Sequence, residues 1–191
     1  GLLLCTRRLE EAKSFLARRL RETVASAQAP LNDTPLWLAR AAELYVDHSR
    51  DWDFLRDGLT PAAEIIVRRY AENRTDAGFH LASDGLLASD CPGEALTWMD
   101  ARVDGWPLTP RAGKPVEVNA LWHHLLSSLS RWVRRGNGSS SAEVYERWRD
   151  LAARSFRLRF WNETEGCLRD VADPPAGCNG PAGWLRPNQI I

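Results

Sequence analysis

The residues best suited to chemistry lie in one stretch of the chain, from Asp84 to Trp122. This stretch combines carboxylates, cations, an amide and indoles, namely Asp84, Asp100, Glu117, Arg111, Lys114, Asn119, Trp98, Trp106 and Trp122. A neutral ligand with many hydroxyls needs this mixture, because carboxylates and amides pair with hydroxyl groups while aromatic faces cover C–H surfaces. The stretch has no glycine-rich phosphate loop and no nucleophilic Ser or Cys in a recognisable setting. The residue types therefore favour sugar binding.

The nine tryptophans among 191 residues are the unusual feature of the composition. For any single Trp, packing in the core is the simpler interpretation, because large aromatic side chains bury much area. Trp98 and Trp106 lie in a polar segment that contains Gly and Pro. For these two residues, stacking on a sugar is the favoured alternative.

The charge balance argues against two classes of partner. Lys plus Arg and Asp plus Glu each number 25, so the formal net charge is zero. Without a basic surplus, nothing favours nucleic acid or an anionic membrane as a partner. No apolar run approaches the roughly 20 residues that span a bilayer, and the opening GLLLC is too short for a signal-peptide core. We therefore expect a cytoplasmic protein, whose oligomeric state stays open.

Neither the cysteines nor the histidines form a metal-binding pattern. The four cysteines are too irregularly spaced for a disulfide framework or a zinc site. Free thiols are the simpler interpretation, with a Cys167–Cys178 pair as the alternative. His123 and His124 are adjacent and diverge on a helix, whereas a two-ligand helical site requires i, i+4 spacing. We predict no metal and no cofactor.

Helical periodicity dominates the chain, and no convincing strand alternation appears, so the predicted class is all-α. The predicted helices run from Thr6 to about Ala27, Pro35 to His48, Thr60 onward, about Val116 to Arg135, and Ser140 through Phe156. Thr60 and Pro61 form a helix-start signal, and Ser140 with Glu143 forms a capping box. Two long loops, 75–115 and 161 to the C-terminus, are rich in Gly, Pro, Asp and Trp. Long ordered loops usually carry function.

The string LTWMDARVDGWPLTPRAGKPVEVNALW, which ends at Trp122, resembles the signature of the amylo-α-1,6-glucosidase domain of glycogen-debranching enzymes. Three shorter segments follow the order of that family, namely NDTPLW from Asn32, DGLL from Asp84 and LRPNQ from Leu185. Pro35 departs from the family's D-A-x-L-W pattern. The matching segments span residues 32 to 189, nearly the whole chain.

This resemblance implies an (α/α)6 toroid of paired helices. The 191 residues would be the N-terminal portion of one catalytic domain, since five helices cannot close such a toroid, and this piece alone would be inactive. It also implies removal of α-1,6-linked glucose from the branch points of glycogen or limit dextrin. Two alternatives remain: an (α/α)6 glucosidase or mannosidase of different linkage, and a truncated carbohydrate-binding domain without catalysis.

Asp100 matches the aspartate of the family's T-W-M-D segment and is the candidate general acid of an inverting hydrolysis. The second carboxylate would lie outside this chain. Desolvation beside Trp98 and Met99 would raise the pKa of Asp100 and keep it protonated near neutral pH. The alternative is that Asp100 caps a helix or binds a sugar hydroxyl.

The resemblance further implies a set of substrate-binding residues. They are Asp33, Trp37, Asp84, Trp98, Arg111, Lys114, Glu117, Asn119, Trp122, Arg186, Asn188 and Gln189. Structural alternatives stay open for several: Asp33 as a helix cap, Asp84 as a turn residue, and Trp122 as part of the core. Arg111 and Lys114 could pair with Glu117 simply to hold the loop. We expect these residues to gather at one end of the helices.

Overall fold

The computed structural model describes residues 2–26, 31–73, 78–91, 93–99, 101–136, 139–176 and 185–190. In these ranges the chain is mostly helical, which confirms the predicted all-α class. The helices are α1 (Leu2–Cys5), α2 (Leu9–Ala25), α3 (Thr34–Ser49), α4 (Trp52–Phe54), α5 (Thr60–Glu72), α6 (Val116–Arg135) and α7 (Ser139–Phe160). A 3-10 turn covers Pro187–Ile190. None of the described helices is long and apolar enough to cross a membrane.

The predicted helices agree with the structure in α2, α3 and α6. Among these three helices, the start of α2 differs most from the prediction. Helix α2 begins at Leu9, because the left-handed backbone of Arg7 (φ 57°) separates α2 from α1. Helix α7 begins at Ser139, so Ser140 is inside it. The side chain of Ser140 is outside the described part of the chain, and the predicted capping box stays a prediction.

The predicted helix from Thr60 is confirmed as α5, with Pro61 in its first turn, but the predicted cap at Thr60 is wrong, because the chain is already helical from α4. Asp51 caps α4 by accepting a hydrogen bond from the backbone N–H of Phe54 (2.9 Å). A π turn over Leu55–Leu59 then joins α4 to α5. In a regular helix the ring of Pro61 would clash with the carbonyl four residues earlier, and the wider π turn relieves this contact. Pro61 therefore marks a change of helix type.

Helix α6 lies at the centre of the described fold, where it packs against α3, α5 and α7. Its buried apolar side chains recur every three or four residues, at Val118, Leu121, Leu125, Leu129 and Val133. This spacing forms one stripe along the helix. Burying each such side chain stabilises the fold by roughly 1.5–3 kcal/mol. The packing of α6 therefore also fixes its first turn, which carries Glu117 and Asn119.

Four antiparallel pairs of two-residue strands lie in the described loops. They pair β1 (His80–Leu81) with β2 (Leu87–Ala88), β3 (Arg102–Val103) with β4 (Trp106–Pro107), β5 (Lys114–Pro115) with β8 (Val171–Ala172), and β6 (Trp161–Asn162) with β7 (Cys167–Leu168). Two residues are too few to show an alternating pattern, so the sequence does not predict these strands. Only one of these pairs, β5 with β8, joins the two long loops.

Gly113 permits this contact between the loops. Its backbone is left-handed (φ 103°), and a Cβ at this position would lie 2.8 Å from the carbonyl oxygen of Ala172. Any side chain would therefore push β8 away from β5. The glycine of the TPRAGK segment is explained by this close approach.

Candidate functional site

The candidate site is built around the buried carboxylate of Asp170, immediately before β8. Arg111 donates to both of its oxygens, from Nη2 to Oδ1 (2.9 Å) and from Nε to Oδ2 (3.1 Å). Arg186 donates to Oδ2 (2.6 Å), and the amide of Asn188 donates to Oδ1 (2.8 Å). Asp170 therefore joins the two long loops through three predicted site residues.

Arg111 is held from its other side by Glu117, in the first turn of α6. The guanidinium and the carboxylate form a two-point pair, and both side chains are buried. Burial alone would lower the pKa of Arg111, but its pairing with Glu117 and Asp170 raises that pKa. The described contacts of Arg111 are thus with protein carboxylates, which supports the alternative that it holds the loop.

Lys114 has different partners from those considered in the sequence analysis. Its ammonium donates to Asp84 (2.7 Å) and to Asp173 (2.7 Å), whereas Glu117 pairs with Arg111. Lys114 belongs to β5 and Asp173 follows β8, so this contact reinforces the pairing of those strands. It also holds Asp84, in the turn between β1 and β2, against the same strands.

Asp33 is 5% exposed and lies just before α3. Its Oδ2 accepts hydrogen bonds from the backbone N–H of Trp98 (2.8 Å) and from the indole N–H of Trp37 (3.1 Å). Burial raises the pKa of Asp33 to about 6, and the charge of Glu117 adds to this, although the two donors and Arg111 act in the opposite direction. The structure thus brings Asp33 to loop 75–115, across 65 residues of sequence.

Trp98 is an exposed aromatic side chain with a fixed orientation. Its backbone N–H donates to Asp33 and its indole N–H donates to Oδ1 of Asn188 (3.0 Å), while 49% of the residue remains exposed. An indole that is anchored at its polar atom and half exposed is suited to stacking on a sugar. Trp98 thus links Asp33 to Asn188, and Asn188 links it to Asp170.

Asn119 and Trp122 lie below this network, in the core. The side-chain amide of Asn119 contacts the backbone N–H (2.7 Å) and carbonyl (3.0 Å) of Leu87, and the indole of Trp122 donates to the carbonyl of Gly85 (3.1 Å). Both residues are fully buried. Their contacts support structural roles, as does the contact of Gln189 with the backbone of Leu168.

Asp100, the candidate acid, lies outside the described residues, as does Cys178. The residues before Asp100 are described, and they contact the network. The sulfur of Met99 lies 3.2 Å from the amide nitrogen of Asn188, next to the bond from Trp98. Among the described residues, no group of three or more His, Cys, Asp or Glu is arranged to hold a metal ion.

Sequence reasoning missed Asp170 and Asp173. Neither falls within a segment that resembles the family, and both follow the β6–β7 hairpin in the second long loop. The signal that could have identified Asp170 is the charge of Arg186. A guanidinium that becomes largely buried requires a carboxylate partner, and the second loop offers few acids.

Helices support two long loops here, with a buried ionic network beside a half-exposed indole, an arrangement suited to binding a sugar. The sequence model of the amylo-alpha-1,6-glucosidase family matches residues 1–191, the whole chain. The chain belongs to this family, whose domain is a helical-toroid glycosidase and whose substrates are carbohydrates. No curated protein matches the chain.

Proposed function

We propose that the chain carries part of the active site of a glycogen-debranching α-1,6-glucosidase, and that it is the N-terminal portion of one (α/α)6 catalytic domain. The family match over all 191 residues is the observation that carries this proposal. The network around Asp170 supports it, because it connects three of the segments that resemble the family. The cytoplasmic location stays a prediction.

The described residues suggest how a terminal glucose is held. A carboxylate with a pKa of about 6 is largely ionised at neutral pH, so Asp33 can accept hydrogen bonds from sugar hydroxyls. The exposed part of the Trp98 indole can cover the C–H surface of the sugar ring. Asp33 and Trp98 would supply one polar and one apolar contact to the same sugar, since the backbone N–H of Trp98 donates to Asp33.

Asp100 is the proposed general acid. Cleavage of a glycoside requires protonation of the departing oxygen, and in an inverting enzyme a second carboxylate deprotonates the attacking water. We place that second carboxylate outside this chain. Asp100 follows Trp98 and Met99 directly, and both of these contact Asn188 in the network.

The substitution Asp100→Asn in the complete natural protein tests this role. It preserves size but removes the transferable proton, so hydrolysis of an α-1,6-glucoside should fall by about 10²–10⁴-fold while substrate binding changes little. Steady-state kinetics of glucose release give kcat, which should fall, and KM, which reports on substrate binding.

Glucosyl fluoride provides the control, because fluoride departs without protonation. The variant should retain far more activity on this substrate than on the natural glucoside. Equal loss on both substrates would show that Asp100 binds substrate or acts as a base, and the acid role would be wrong.

A further inference from the structure

We infer that Asp170 is a positioning residue of the sugar site, which sets the orientation of the Trp98 indole through Asn188. This inference rests on the proposed function only in naming a sugar as the ligand of Trp98. Its basis is the hydrogen-bond geometry of Asp170, Asn188 and Trp98. Asp170 and Asn188 share the second long loop, whereas Trp98 lies 72 and 90 residues before them in the chain.

The amide of Asn188 has a defined orientation. Its nitrogen donates to Asp170 (2.8 Å), and its oxygen accepts from the indole N–H of Trp98 (3.0 Å). A reversed amide would place two donors opposite each other at Trp98 and two acceptors opposite each other at Asp170. Asn188 is 1% exposed, so solvent does not compensate for such a reversal. The carboxylate of Asp170 therefore keeps the amide oxygen directed at Trp98.

Asp170 also holds the turn that carries Asn188. Two guanidinium groups meet at its Oδ2, with Nε of Arg111 at 3.1 Å and Nη1 of Arg186 at 2.6 Å. Without the carboxylate charge the two cations would repel each other. Arg111 would stay with Glu117, so Arg186 would move and take the 3-10 turn with it.

The position of Asp170 is itself fixed relative to α6. Its carbonyl oxygen accepts from the backbone N–H of Val116 (3.0 Å), the first residue of α6, and Val171 pairs with Pro115 in the β5–β8 ladder. The backbone of Asp170 is therefore attached to the first turn of α6, the central helix of the described fold. A carboxylate fixed in this way can orient the Trp98 indole through Asn188 without contacting the substrate itself.

Glu43 offers a matched control for loss of a buried carboxylate. It is 7% exposed, compared with 9% for Asp170, and it lies on α3, where it contacts His124 and Ser128 of α6. Burial alone would raise the pKa of Glu43, but His124 and Ser128 lower it to about 2. Among the described residues, its hydrogen-bond partners are separate from the site. Glu43→Gln should therefore reduce stability without moving Trp98.

The test compares Asp170→Asn with Glu43→Gln in the complete natural protein labelled with 5-fluorotryptophan. The fluorine resonance of Trp98 is assigned by its loss in Trp98→Phe. Asp170→Asn should shift or broaden this resonance and lower kcat/KM for an α-1,6-glucoside by about 100-fold, mostly through KM. In the Trp98→Phe background, Asp170→Asn should lower kcat/KM by less than about threefold.

The outcomes separate this inference from the proposed function. A shifted resonance in a protein that releases no glucose keeps the positioning role and rejects the glucosidase. An unshifted resonance, or an equal shift in Glu43→Gln, overturns the positioning role. If Asp170→Asn fails to fold, Asn188→Ala leaves the ionic partners of Asp170 in place. It should shift the same resonance, and an unchanged resonance would again overturn the inference.

Discussion

Asp33 is held in surroundings that disfavour its ionisation. Burial raises its pKa from 3.8 to about 6, even though Trp98 and Trp37 donate hydrogen bonds to it. The folded protein therefore binds more protons than the unfolded chain between these two pH values. The stability that Asp33 contributes is complete below the lower value and is lost as the pH rises through the upper one. At neutral pH the buried carboxylate of Asp33 therefore lowers the free energy of unfolding.

The substitution Asp33→Asn should remove this pH dependence. Between about pH 4 and about pH 7, the free energy of unfolding of the wild type should fall relative to that of the variant by up to about 3 kcal/mol. Urea unfolding of both proteins across this range provides the measurement. Other titrating groups cancel in the difference. A flat difference would show that the pKa of Asp33 is ordinary, and a rising one would show that it is lowered.

Asn119 decides how β2 attaches to the first turn of α6. Its amide pairs with the backbone N–H and carbonyl of Leu87 and also donates to the carbonyl of Pro115 (2.9 Å). A single side chain therefore satisfies both polar groups of a buried strand residue. This contact fixes the loop that carries Asp84 to the helix that carries Glu117.

The substitution Asn119→Ala should lower the free energy of unfolding by about 2–4 kcal/mol, because two buried backbone groups of Leu87 lose their partners. The comparison is Asn162→Ala, at the β6–β7 turn. There a side-chain oxygen accepts one hydrogen bond from Thr164 (3.2 Å), and its loss should cost under about 1 kcal/mol, since water replaces it. Equal losses in urea unfolding would contradict the proposed attachment.

The elements divide into those that the sequence predicts and those that it does not. Helix α6 has the predicted bounds because its apolar stripe continues from Val118 to Val133. Pro61 gives the same local signal at a helix start and after a π turn, so its role depends on the preceding residues. The two-residue strands are defined by their partners, and no local pattern predicts β5 pairing with β8.

At the scale of the whole described structure, the site is assembled from distant parts of the chain. Trp98 meets Asp33 across 65 residues and Asn188 across 90 residues. The family resemblance predicted these members, because each falls within one of its segments. It did not predict Asp170, which holds them together, since a buried ion pair depends on packing rather than on local sequence. The contacts connect Asp33 to Trp98, and Arg111 to Arg186 through Asp170, whereas the roles of these residues in substrate binding stay predictions.

Glucose release from a limit dextrin whose branches are trimmed to single α-1,6-linked glucose units is the most direct measurement of the proposed activity. The complete natural protein should release free glucose from this substrate, up to the number of branch stubs. It should release little from linear α-1,4-linked chains of the same length, which serve as the control. Comparable release from the linear chains would indicate a glucosidase of different linkage. No glucose from either substrate would contradict a debranching glucosidase altogether.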